Sequence, residues 1–166
     1  MRAIYAFCAP VTLALAGCGA ETSGTLTGED GEEGDYTINR ETGETTATIK
    51  TDEGTVTMRS GADVPVELPA GFTVYPGAEV VSNTVVNQGK GSGVLLNMSS
   101  ADSAQKVAAF YKAQAEKAGI KIEMEMSVNE GQIIGGQSAE GLTFSIMATP
   151  EGAGTSAQLT IGRQPD

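Results

Sequence analysis

The chain has 166 residues, a formal net charge of −11 and an apolar fraction of 40%, with 22 glycines and no tryptophan. That is enough for one ordinary domain, or for two small β-rich pieces, with a core of Val, Ile, Leu, Met and Ala. The acidity argues against nucleic acid and against charge-driven docking on anionic membranes, because both present phosphate. Histidine is absent and the two cysteines are Cys8 and Cys18, so the commonest general base, the usual metal ligand and a disulfide framework are all missing.

Met1-Arg2 supplies a short positive start, and Ala3 to Ala16 is an apolar run broken by Pro10 and Thr12. The run is shorter than the roughly 18–20 residues that span a bilayer and has the length of a secretory signal core. It ends in Leu15-Ala16-Gly17-Cys18, which resembles a bacterial lipobox. The residue types suit that chemistry: the thiol forms a thioether with diacylglycerol, and the small residues before it let the chain lie extended in a peptidase cleft. The resemblance implies cleavage after Gly17, lipid attachment at Cys18 and further acylation of its amine. More than one acyl chain, at about 0.8 kcal/mol per buried CH₂, anchors stably. Gly19 in place of Asp after the cysteine points to the periplasmic face of the outer membrane.

Residues 18–35 hold many Gly and acidic side chains and few apolar ones, so they read as a disordered acidic tether. The acids Glu29, Asp30, Glu32, Glu33 and Asp35 lack the order of a calcium-binding EF-hand loop. Residues 36–68 are a short β-repeat region. After Gly34, Gly43, Gly54 and Gly61 come apolar pairs in alternation: Tyr36/Ile38, Ala47/Ile49, Val56/Met58 and Val64/Val66. Period-two alternation between Gly-containing turns predicts a small β-meander or stacked rungs.

Residues 69–166 form the main domain. Pro69 and Pro76 keep its first stretch extended, with Phe72 and Tyr75 covering a core edge. Strands are predicted over 80–86 and 94–98, then a helix from Ser103 to Ala118 with Val107, Phe110, Tyr111, Ala115 and Ala118 on one stripe. Ser103 is the expected N-cap, Lys112–Glu116 an exposed pair and Gly119 the stop. Ile120, Ile122, Met124, Met126 and Val128 alternate with polar residues and predict a strand with those five on its core face. Three further strands follow over 132–137, 142–149 and 156–162. The expected fold is β-rich α+β: the N-terminal meander, then a ββαββββ antiparallel sheet covered by one helix. Tyr75-Pro76-Gly77-Ala78, Phe110-Tyr111 and Ala118-Gly119 together resemble an uncharacterised domain of bacterial lipoproteins. That resemblance bears on packing and turns and implies no activity.

Each catalytic motif reduces to a structural reading. Ser103-x-x-Lys106 lacks the partners of a serine acyl enzyme and reads as a helix start. Gly89-Lys90-Gly91-Ser92-Gly93 does not meet phosphate-loop spacing and reads as a hairpin loop. Met124-x-Met126 is a secondary candidate for Cu(I), because thioethers suit a soft ion, but core packing is the first expectation. The sequence therefore reads as a lipid-anchored envelope protein, not an enzyme and without a cofactor. Its attachments are the membrane, through Cys18, and an envelope protein partner that it binds or scaffolds. The alternative is a carrier or sensor of a small apolar ligand held between helix 103–118 and the sheet, and a third reading is a His-free hydrolase built on Asp and Glu.

Overall fold

A computed structural model of the chain describes residues 21–27, 33–51, 54–88 and 91–163. The elements are strands β1 (Glu21–Thr27), β2 (Glu33–Asn39), β3 (Thr45–Thr51), β4 (Gly54–Gly61), β5 (Glu79–Gln88) and β6 (Gly91–Ser100), then helix α1 (Ala104–Lys117). Strands β7 (Ile120–Val128), β8 (Gly131–Ser138), β9 (Leu142–Glu151) and β10 (Gly154–Arg163) follow. All ten strands join one antiparallel sheet in the order β1-β2-β3-β4-β5-β6-β10-β9-β8-β7. The β-rich α+β fold with one covering helix and the ββαββββ order are as the sequence predicts.

Three boundaries differ from the sequence reading. Within the expected tether 18–35, β1 pairs along its length with β2, from Glu21↔Asn39 to Thr27↔Glu33. This strand is held by a backbone ladder and by the Tyr36 ring lying across Gly24, where a Cβ would come within 2.6 Å of the phenol oxygen. Composition alone carries neither signal. The fourth expected repeat strand, with Val64 and Val66, is instead an irregular strap over residues 62–78. Pro65 lacks the N–H a ladder needs, and its carbonyl accepts from buried Asn83 Nδ2 at 2.8 Å. The break expected near residue 68 does not divide the sheet, because β4 pairs directly with β5 from Val56↔Gln88 to Gly61↔Asn83.

After β6 the chain crosses in α1 to the far edge and returns through hairpins, so that β10 closes between β6 and β9. The helix and the strap share one face of the sheet. Val107, Tyr111 and Ala115 of α1 pack on Leu96, Ile146, Leu159 and Ile134, with Phe72 of the strap stacked on Phe144 at 5.8 Å. Tyr111 ties the two coverings together: its hydroxyl accepts from the Tyr75 N–H at 2.9 Å and donates to Met98 Sδ at 3.3 Å. Burial pushes that phenol up to about 12. Gly119, at φ +78, stops the helix as expected. Ser103 is the N-cap by backbone only: its carbonyl accepts from Lys106 and Val107, while its side chain makes no cap bond. Lys112 pairs across to Glu125 at 2.6 Å, in place of the expected Glu116.

The cause of that last change is a β-bulge. Register between β7 and β8 shifts between Ile122 and Met124, so Ile122 faces Gly136 while Met124 faces Gly135. One extra residue, Glu123, inverts every side chain after it. Ile120 and Ile122 keep the helix face, Glu125 moves onto it, and Met124, Met126 and Val128 turn to the opposite face. The expected core placement of the two methionines is thereby corrected: Met124 is 44%, Met126 47% and Val128 51% exposed.

Candidate functional site

The centre of the helix–sheet layer is filled. Leu96, Ile146, Leu159, Val107 and Tyr111 are fully buried there, so the space directly beneath helix 103–118 in which the alternative reading places a small apolar ligand is occupied by the protein's own side chains. Where α1 ends, the layer opens. A pocket of about 340 Å³ lies between Ala118 at the helix C-terminus, Pro69 and Ala70 of the strap, and the ends of β6, β9 and β10. Val94, Leu142 and Ile161 give it an apolar lining. Each comes from a strand whose buried residues alternate toward α1. Glu140 and Arg163 put one charge of each sign at the site. The tight turn at Gly141 (φ +80) carries Glu140 and then releases the chain into β9.

At the other end of the helix, Asp102 accepts from Tyr75 Oη and Lys106 Nζ, each at 2.9 Å. The Lys106 ammonium and then the Tyr75 hydroxyl hold this carboxyl below its usual range, and Asp102 in turn holds Lys106 above its own. Both charges are fixed in the ionised form, the reverse of what a general acid or an S-x-x-K base requires. The backbone carbonyl of Asp102 also accepts from Thr155 Oγ1 at 2.7 Å, so the group fastens the β6–α1 junction to β10. Among the described residues, no three His, Cys, Asp or Glu side chains gather as a metal site.

Leu15, Ala16, Gly17 and Cys18 lie outside the described residues, as do Gly89 and Lys90 of the glycine-rich loop. The pocket residues were missed in the sequence. Its lining is contributed by three strand ends, the strap and the helix end, and only the insertion of β10 between β6 and β9 brings Val94, Ile161 and Leu142 together. The signal that existed was the apolar alternation of Ala157, Leu159 and Ile161 in β10 and of Leu142, Phe144 and Ile146 in β9.

A family model described as START domain-like matches residues 80–159, the stretch from β5 through α1 into β10. No curated protein and no solved structure matches the chain.

Proposed function

We propose that this chain is a non-catalytic, ligand-binding protein of the cell envelope, anchored by lipid on Cys18, which holds a small amphipathic molecule at the C-terminal end of α1. The observation that carries the reading is the pocket. Its volume of about 340 Å³ falls within the roughly 300–1,000 Å³ of small-molecule sites, and its apolar wall continues the helix–sheet layer. The START domain-like match over residues 80–159 supports a binding role for that part of the chain. With Glu140 and Arg163 both present, a net charge on the ligand head gains nothing, and a hydrogen-bonding neutral head above a short apolar tail fits best.

The lipobox and the sheet fit together in this reading. Only Gly19 and Ala20 separate Cys18 from Glu21, the first residue of β1. Three residue steps reach about 10 Å, so a lipid on Cys18 keeps the β1 edge close to the bilayer. Five strand spacings at about 4.8 Å then set β6 some 24 Å from β1. The meander β1–β4 becomes a stand for the pocket-bearing unit, in place of a loose leash.

1-Octanol added to the isotopically labelled full chain tests the ligand site. Backbone amide shifts that saturate at Val94, Ala118, Leu142 and Ile161, with β2 and β3 unmoved, support it. Absence of saturable shifts at those four residues removes it.

A further inference from the structure

The face of the sheet away from α1 is polar over much of its centre. Gln158 donates to Asn97 at 3.0 Å, and Asn97 donates to Ser82 at 3.0 Å, a side-chain ladder across β10, β6 and β5. Along the same row toward the β7 edge the chemistry changes abruptly. The register runs Gln158↔Met147, Met147↔Ile133 and Ile133↔Met126, so these residues stand directly opposite one another on one face. Met124 is one pleat along from Met126 on that face. Its methyl lies 3.5 Å from where a Cβ of Gly135 would be, so its side chain has folded inward over β8. Met147 approaches the same strand from β9 and is 43% exposed.

Three thioethers thus rim one patch, with Ile133 as its floor and the side-chain-free Gly135 leaving room beside it. The β7–β9 separation of two strand spacings, about 9.6 Å, is within reach of unbranched side chains with three rotatable bonds each that extend toward one another. If apolar surface were all that was selected there, leucine would serve and would normally be buried. What methionine alone adds on an exposed strand is a soft sulfur donor that needs no deprotonation.

We propose that Met124, Met126 and Met147 form a thioether site for a soft monovalent cation, Cu(I) or Ag(I). The bulge at Glu123 creates the site, since without it Met124 and Met126 would face the helix and Met147 would stand alone. The site is independent of the octanol pocket, which opens on the opposite face. The chain's net charge of −11 raises the local concentration of any cation.

The test uses Ag(I) and the full chain carrying Cys8→Ser and Cys18→Ser, so that no thiol competes, with ¹³C-labelled methionine methyl groups. The methyl signals of Met124, Met126 and Met147 should move together and saturate at one equivalent. Two internal controls should stay still: Met98, buried under the Tyr111 hydroxyl, and Met58, 37% exposed on β4, four strand places from β9 and six from β7. The triple variant Met124→Leu, Met126→Leu, Met147→Leu should keep the wild-type melting curve and lose at least about tenfold in silver affinity. Three results overturn the proposal: signals unmoved at millimolar silver, Met58 moving in parallel with the other three, or undiminished affinity in the folded triple variant.

Discussion

Gly136→Ala tests the geometry on which the two faces depend. Gly136 sits opposite Ile122 at the edge of the bulge, and a Cβ there would overlap the Lys121 carbonyl oxygen and come within 2.9 Å of its carbon and 3.0 Å of the Ile122 Cα. All three are backbone atoms, so no side-chain rotation relieves the contact and the β7–β8 ladder must shift. Overpacking of this kind costs about 1–3 kcal/mol. At about 2–4 °C per kcal/mol for a chain of this size, the melting temperature should fall by about 2–12 °C. Gly141→Ala is the matched control. Its φ is +80 with nothing within 4 Å of the added carbon, so it carries only the left-handed backbone penalty of about 1 kcal/mol. Thermal melts of both variants, followed by circular dichroism, should rank Gly136→Ala as the more damaging. The methyl signal of Met124, which lies over neighbouring Gly135, should also move while that of Met58 does not. A Gly136→Ala protein no less stable than the control, with Met124 unchanged, would refute the bulge geometry.

Tyr111→Phe removes the acceptor of the partly buried Tyr75 N–H and the donor to Met98, a loss of about 0.5–1.5 kcal/mol. Urea unfolding should show a lower midpoint at an unchanged slope, and an unchanged midpoint would contradict the tie between strap and helix. The same residue sets an alkaline limit. Its folded-state pKa is raised from 10.0 to about 12, so the native state favours the neutral phenol. That contribution is complete below pH 10 and is lost as pH rises from 10 toward 12. Tyr111→Phe should flatten stability over this window, and a wild-type profile in the variant would assign the effect elsewhere. Cys18→Ala should leave the chain in the soluble fraction of lysed cells. Unchanged sedimentation with membranes would remove the lipid anchor from the account.

The elements made by side-chain periodicity were legible in the sequence. Val107, Tyr111 and Ala115 recur at helical spacing and are the buried stripe of α1, and the positive φ of Gly119 ends it. Strand β10 follows from alternating apolar residues, and β8 and β9 from apolar segments bounded by glycine-containing turns. What escaped reading depends on backbone partners distant in sequence. Alternation continues unbroken from Ile120 to Val128, so a bulge that inverts its second half leaves no mark on β7 itself. The trace is on the neighbouring strand, where the adjacent glycines Gly135 and Gly136 admit the extra residue. Strand β1 was hidden for a related reason: Glu21 to Thr27 have little to bury, and their order comes from pairing with β2 and from Tyr36. Val64 and Val66 mimic a strand pattern, yet Pro65 between them turns the segment into a strap whose carbonyls serve Asn83. The pocket, assembled from strand ends far apart in the chain, became visible only with the strand order.

The central claim is that the opening at the end of α1 takes a ligand, and calorimetric titration of 1-octanol into the wild type and Ala118→Phe side by side addresses it most directly. Ala118 lines the pocket from the helix C-cap, where an aromatic ring fills the space without altering the β6, β9 or β10 core. Saturable one-to-one binding to the wild type, lost in an Ala118→Phe chain that melts normally, is the predicted result. Equal heats for the two proteins, or none for the wild type, would contradict it.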